Sequence, residues 1–515
     1  MGHGEVLGGL IGPPPMLAAL TTWITPVWIL GMGALAGLAV LLLLWAALAI
    51  LSRKAAVNVA GVVRESVLWR ILCVVVLLAI LGIVTGPFAS SQERILTSLR
   101  RLNVGQTTTQ SLTIKGPALS GRLAEEQRVP VSSFRHDELW SLNLTSQQDD
   151  LTWSTEPQSQ GDARSTYTVP SGEAGYVWRR GQPSPFPDEQ EEVDAIYVRT
   201  TGDIDTTAKL IIVTDVVHPQ VRLVPMTAVS IVVLFLLYLA QRFSMPKVSA
   251  IALSTSKSEI SQPLFLLILV GGIVVNVLLI YVPYNTFGED IKMYKDSGLT
   301  LIMVLCALMA VWSASTSIAD EIEGRTALTV LSKPISRWQF ILGKFLGIVW
   351  SVAVLFIVLG TIFLIAVSFK VDYDARESAK LPPVWQECYV ETVRTVPGLV
   401  LAFMETVVLA SVSVAISTRL PMLANFIICF SIYVMGHLTP LIVESSVGQF
   451  EPVEFVGQLI AMVIPMLDNF NIYAAVAAGR PVPYEYLGWC LLYCVLYSTI
   501  AMLLALALFE DRDLA

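Results

Sequence analysis

The sequence predicts an α-helical polytopic membrane protein of about nine transmembrane helices, with a β-rich, sandwich-like domain inserted on the extracytoplasmic side. Three observations carry that prediction. Of the 515 residues, 54% are apolar and only 14% are charged, whereas a soluble domain is about 25% charged. Nine segments reach the ~20 mostly apolar residues needed to cross a bilayer. Between the second and third of them lies a polar stretch, 89–222, whose apolar residues fall in short β-like runs. The same figures exclude a soluble enzyme and a disordered tail. A net charge of −8, from 33 Lys and Arg against 41 Asp and Glu, argues against nucleic acid as a partner, because a binder of phosphate backbones leans basic. Six Cys in a chain this long do not make a disulfide framework.

The nine spans fall at roughly 27–51, 68–88, 223–241, 263–283, 299–318, 343–367, 396–417, 420–444 and 485–508. The first reads as a span rather than a cleavable signal: it is long, it starts late, and no Lys or Arg precedes it, where a signal peptide has a basic leader and a short apolar core. Positive charge follows it instead, at Arg53, Lys54 and Arg64. Because Lys and Arg concentrate in cytoplasmic loops, this predicts the N-terminus outside and the C-terminus in the cytoplasm. The later loops keep the same sign, with Arg242, Lys247 and Lys257, then Arg325, Lys333, Arg337 and Lys344 on the cytoplasmic side.

The predicted extracytoplasmic domain, 89–222, holds 13 Lys and Arg against 18 Asp and Glu, so −5 of the −8 sits there. Five runs read as strands: 111–115, 139–145, 165–169, 195–200 and 208–217. Turn signals separate them, such as Pro170-Ser171-Gly172 and Thr201-Gly202-Asp203. Short strands at this spacing suggest a sandwich, and 181–192 reads as a loop. The domain shows no catalytic set. His136-Asp137-Glu138 reads as a solvated turn rather than a metal site, and the sequon Asn143-Leu144-Thr145 as chance.

The most structured punctuation lies between the fifth and sixth spans, at 317–347, SIADEIEGRTALTVLSKPISRWQFILGKFLG. Asp320, Glu321 and Glu323 crowd the end of a helix. Gly324 breaks it, Arg325 and Thr326 follow, and TALTVL reads as a short helix. Lys333-Pro334 ends that helix, since the residue before Pro avoids the helical region. Ser336 can cap the next helix, and Arg337 and Trp338 enter it at the membrane interface. The result is a stiff charged elbow, 320–338, pointing into the cytoplasm.

This run resembles the cytoplasmic coupling loop of type 2 permeases of ATP-binding-cassette (ABC) transporters, including the branch associated with multicopper-enzyme maturation. Other stretches agree. AIALSTSKSEISQPLF at 250–265 resembles the interface helix that opens the family core, and FGEDIKMYKDSG at 287–298 the first outer loop. The apolar, Pro465-broken segment between 455 and 479 resembles the re-entrant helices before the last span, and FEDRDL at 509–514 the C-terminal end. The resemblance covers roughly 245–515, a six-span core with the coupling loop at 319–342. It leaves 1–88, with two spans, the 89–222 domain and a third span at 223–244 as an extension.

The resemblance implies a transport subunit without enzymatic activity. The chain has no P-loop; Gly343-Lys344 is followed by Phe345, so it lacks the hydroxyl position of a phosphate cradle. No cofactor is expected on this chain, and ATP and Mg belong on a separate ABC ATPase subunit. Two permease halves are implied, as a homodimer or a heterodimer, in the lipid bilayer of the cell membrane. Asp320, Glu321, Glu323, Gly324, Arg325, Thr326, Lys333, Pro334, Ser336 and Arg337 are then the residues expected to couple to the ATPase, and export is the expected direction. The rival class is an ABC-type mechanotransmission or signalling protein, which moves its outer domain without carrying substrate. A membrane-embedded enzyme is a third reading, and it lacks a cluster of catalytic groups at one depth.

Two ionisable residues lie inside spans, where such groups are costly and mark function by default. Glu405 sits roughly 13 Å from the outer end of its span and His437 roughly 10 Å from the outer end of the next, at 1.5 Å per residue. Antiparallel spans joined by a short turn at Thr418-Arg419 would bring them into contact, either as a polar element of the path or as a helix clamp. Cys490 and Cys494, spaced i, i+4, read as packing rather than a metal site. Cys73, Cys306 and Cys429 also read as packing, and Cys388 as an aqueous-loop residue. Trp312 and Trp338 read as interface anchors.

Overall fold

A computed structural model describes the chain except 1–14, 118–124, 156–165, 187–191, 203, 285, 287–288, 320, 322–334, 447–463 and 511–515, and except the side chains of 15–19, 173–174 and 439–446. The chain divides into two compact units, one made of 1–90 and 223–515 and the other of 91–222.

The helices, in chain order, are α1 (Pro15–Leu51), α2 (Arg53–Glu65), α3 (Leu68–Thr85), α4 (Gln92–Arg100), α5 (Leu223–Ser244), α6 (Pro246–Ser261), α7 (Pro263–Ile280), α8 (Asp290–Ala314), α9 (Arg337–Glu377), α10 (Trp385–Ser417), α11 (Met422–Ser446), α12 (Tyr473–Ala477) and α13 (Tyr484–Glu510). Among the described residues, eight helices are long and apolar enough to cross a membrane: α1, α3, α5, α7, α8, α9, α10 and α13. The ninth expected span corresponds to α11, which is apolar over Met422–Leu438. The link before it is longer than the two-residue turn expected. It runs from Thr418 to Pro421, because Pro421 supplies no helical N–H and Met422 opens the helix after it.

Several helices run well past the segment that hydropathy marks. The expected span 299–318 lies in a helix that starts at Asp290. The expected 343–367 lies in the 41 residues of α9, and 396–417 in the 33 residues of α10. Hydropathy finds the stretch that tolerates lipid, and a helix continues until something breaks it. Gly, Pro and capping residues set that point, not polarity. Pro382-Pro383 separate α9 from α10, whereas Pro397 is absorbed inside α10.

Helices in the membrane unit approach closely where glycine removes the side chain. A Cβ on Gly31 of α1 would meet the Gly82 Cα of α3 at 2.5 Å. A Cβ on Gly347 of α9 would meet the Thr255 Cβ of α6 at 2.6 Å, and one on Gly343 would meet the Ile251 Cβ at 2.7 Å. Lipid tails are as apolar as side chains, so helix association in a membrane depends on such close packing. At the end of α9 away from the elbow, the buried Lys370 donates to the Ile280 carbonyl at 2.9 Å. The Ser368 hydroxyl donates to the Trp23 carbonyl of α1 at 2.8 Å.

The second unit is two antiparallel four-stranded sheets. Its strands are β1 (Gln106–Ile114), β2 (Gln127–Phe134), β3 (Leu139–Ser146), β4 (Leu151–Ser154), β5 (Thr166–Val169), β6 (Gly172–Arg179), β7 (Val193–Thr200) and β8 (Thr206–Thr214), in orders β1-β8-β3-β6 and β2-β7-β4-β5. Register places Leu142 opposite Ile212 and Leu144 opposite Leu210. These side chains share one buried core with Val129, Trp153, Ile196 and Val198 of the other sheet. Trp153 stacks on Tyr167 at 5.0 Å. All five expected strands are present. The three not foreseen have physical reasons: β2 carries Pro130 and lies at a sheet edge, where a missing donor is tolerated; β4 is only four residues; and β6 contains Gly172 and Gly175 at positive φ.

Candidate functional site

Two polar loci stand out within the apolar membrane unit. The first is Glu405, in the interior of α10 and fully buried, on a helix whose Leu401, Met404, Val408 and Leu409 share an apolar cluster with Leu467 and Phe470 from the segment before α12. The Tyr473 hydroxyl of α12 donates to Glu405 Oε2 at 3.2 Å. His437 Nε2 of α11 lies 3.4 Å from Oε1. The expected contact between consecutive helices is therefore present, and a third element joins it.

The imidazole's other face settles its chemistry. His437 Nδ1 lies 3.0 Å from the Tyr433 carbonyl, which can only accept, so Nδ1 carries a proton. Nε2 faces Glu405 Oε1, which has no hydrogen-bond partner among the described residues. The Tyr433 ring packs on the imidazole at 4.6 Å. Glu405 is sealed, while the His437 side chain is 19% exposed, so the node opens on the α11 side. Sequence reasoning did not find Tyr473. It lies on a five-residue helix with no readable period, and the only available signal was the apolar segment broken by Pro465, which suggested a chain returning to mid-depth.

The second locus is at the elbow. A π-helical turn, Ser315–Ala319, ends α8; such turns are rare and concentrate at functional sites. Glu321 follows it and accepts from the Lys344 ammonium of α9 at 2.6 Å. Ser336 and Gln339 form a reciprocal capping box at the start of α9, which satisfies donors that a helix start leaves free. Arg337 donates to the Glu510 carbonyl of α13 at 2.7 Å. Of the residues expected to face an ATPase, Glu321 and Arg337 are thus engaged within the chain. Asp320, Glu323, Gly324, Arg325, Thr326, Lys333 and Pro334, with the short helix TALTVL, lie outside the described residues.

Two buried groups flank this locus, neither singled out in the sequence. Asn425, at the start of α11, points Nδ2 at the hydroxyls of Ser315, Ser413 and Ser417, at 2.8, 2.8 and 2.9 Å. It ties the ends of α8 and α10 to α11. Glu259 of α6 is 1% exposed. The Thr316 hydroxyl reaches its Oε1 at 3.5 Å, and Oε2 has no hydrogen-bond partner among the described residues. Burial pushes its carboxyl up to about 7, against the smaller opposing effects of Ser313, Lys344 and Thr316.

Other candidates resolve as packing. Cys388 is not in an aqueous loop: it lies near the start of α10, fully buried, because the helix begins earlier than its apolar stretch. Cys490 and Cys494 are buried beside Leu401 and Met404. Glu138 accepts from the Arg101 guanidinium at 3.0 Å, which occupies the carboxylate of the His136-Asp137-Glu138 turn. No group of three or more His, Cys, Asp or Glu able to hold a metal occurs among the described residues. Trp312 donates to Gln262 at 2.8 Å, and Trp338 is exposed.

The eight candidate spans and the separate β unit define a multi-pass helical membrane protein with an inserted β-rich unit. Residues 60–514 match the family described as ABC-2 family transporter protein, and the chain belongs to that family as an ABC-2 type permease. The match begins well before 245, so it takes in α3, the β unit and α5, which the sequence resemblance had left outside. A search of curated proteins finds no match.

Proposed function

We propose that the chain is the membrane-spanning subunit of an ATP-driven exporter and couples through the elbow, 320–338, to a separate ATPase subunit that holds ATP and Mg. The observation that carries this reading is the family match over 60–514, joined to the elbow's charge pattern. The absence of a P-loop from the sequence is in keeping with ATP hydrolysis on another subunit. The reading places the elbow and C-terminus in the cytoplasm, the N-terminus and β unit outside, and a second permease copy or a related chain beside this one in the cell membrane. Glu405, His437 and Tyr473 form a polar element of the path. Glu323 and Arg325 face the ATPase, where interfacial charge sets register and specificity more than raw affinity.

The test replaces Glu323 and Arg325 with Ala in the assembled complex and follows ATPase retention on the purified permease and substrate-stimulated hydrolysis. Both fall if the elbow docks; unchanged values in both remove the role. A second reading, mechanotransmission, is favoured by the β unit's independent core. It predicts ATP-dependent movement of that unit with no substrate carried into vesicles.

A further inference from the structure

Glycine contacts give the direction of the first helices. A Cβ on Gly33 of α1 would meet Thr227 of α5, and one on Gly37 would meet Ala228 and Ile231. The numbers rise together, so α1 and α5 run parallel and end at the same membrane edge. There α2 leads from α1 into α3, and α6 leads from α5 into α7. Residues 52–70 and 242–262, which form this edge, carry seven Lys and Arg against two acids, Glu65 and the buried Glu259. A hollow of about 410 Å³ opens there, and Arg64 of α2, Arg70 of α3 and Lys257 of α6 all line it. Arg64 and Lys257 are exposed and Arg70 is half-buried. None of the three makes an ion pair among the described residues. Glu65 lines this hollow and a second one across α2, so it stands on the ridge between them.

A guanidinium at the mouth of a span is costly when no carboxylate answers it. At that depth the surrounding bilayer presents its headgroup layer, whose phosphates are anions. We propose that the hollow binds the headgroup phosphate of an anionic glycerophospholipid, with Arg64, Arg70 and Lys257 around the phosphate and an acyl chain along α3. Arg meets phosphate through paired N–H donors, and basic hollows between spanning helices hold anionic headgroups. The tail has its own surface. Trp69, Cys73, Val76, Leu77 and Ile80 are exposed on α3, at the i, i+4, i+7, i+8, i+11 spacing of one helix face. That stripe begins at Trp69, which also lines the hollow, and runs into the span. Trp69 thus stands where head meets tail, the depth that Trp favours. A free phosphate would use the cations and leave the stripe bare; a lipid uses both. Three cations against one ridge carboxylate favour an anionic headgroup over a zwitterionic one. The site is independent of the elbow and of the direction of transport.

The experiment uses the full-length chain in neutral detergent micelles. Phosphatidylglycerol or phosphatidylcholine of equal acyl length is titrated in, and bound lipid is counted by native mass spectrometry. The wild type binds its first phosphatidylglycerol at least about tenfold more tightly than phosphatidylcholine, and millimolar inorganic phosphate does not displace it. Arg70→Gln with Lys257→Gln weakens phosphatidylglycerol by about tenfold or more. Arg53→Gln with Lys54→Gln removes the same charge from the same edge outside the hollow, and leaves that affinity within about twofold. If the first pair lowers the melting temperature, Lys257→Gln alone, at an exposed position, carries the test with a loss of about fivefold. Equal affinity for the two lipids, an equal loss in the Arg53 and Lys54 pair, or displacement by inorganic phosphate overturns the proposal. No ATPase partner is present, so failure here is separate from failure of the docking test.

Discussion

Glu405 is tolerable in the membrane interior only because His437 and Tyr473 answer it. Truncation to Ala leaves the Tyr473 hydroxyl and the imidazole facing apolar side chains, at a cost of about 1–3 kcal/mol for the unmade bonds. Glu405→Gln keeps an acceptor for Tyr473 and loses less. The two roles of the node separate in one comparison, thermal unfolding and substrate flux measured on Glu405→Gln and His437→Gln. A path residue loses flux while the melting temperature holds, and a clamp loses stability while flux per folded molecule holds. The Glu405–His437 contact was legible because depth in a membrane helix can be counted along the sequence. Tyr473 was not, because a five-residue helix has no bilayer-length period to count. Glu259 was hidden for a different reason: an acidic residue on an amphipathic helix reads as solvated until α8 and α9 are seen to cover it.

At the scale of elements, the α6–α9 contact depends on missing side chains. Gly347→Leu drives a branched side chain into Thr255 and the Ala252 carbonyl, which lies 2.8 Å from the position of a Cβ. Overpacking of this kind costs typically 1–3 kcal/mol, and here it also separates the interface helix from the elbow. The expected outcome is a lower melting temperature together with weaker retention of the ATPase. Gly61, whose Cβ would meet nothing within 4 Å, is the matched control, with Gly61→Ala leaving both unchanged. Helix existence was readable from apolar length throughout, and helix ends were not. Asp290–Gly298 and Trp385–Thr395 continue helices without contributing an apolar stretch. In the β unit, the alternation of β8 was plain in AKLIIVT, while Pro130 disguised β2.

The whole molecule joins two bodies with separate cores. The β unit buries Trp153, Phe134, Leu142 and Leu144 among its own residues, so residues 91–222 are expected to fold when expressed alone. Circular dichroism with a β signature and one cooperative thermal transition would establish this; a featureless melt would place part of its stability in the membrane unit. Trp153→Ala removes the ring at its centre, and such truncations cost about 3–5 kcal/mol, readable as a large drop in that transition.

α9 has a consequence for how motion travels. Its 41 residues contain no proline, and at 1.5 Å per residue they span about 60 Å, twice the hydrocarbon thickness of a bilayer. It is capped at the elbow by Ser336 and Gln339, packed against α6 at Gly343 and Gly347 close to that same end, and fastened toward the far end by Ser368 and Lys370 to α1 and α7. A rod with a fulcrum off centre amplifies. With the pivot near the elbow, a swing of a few degrees at Arg337 would ask the far end to travel several ångströms, on the order of the arm length times the angle, and so loads the Ser368 and Lys370 contacts. The pivot, two glycines wide, decides the gearing.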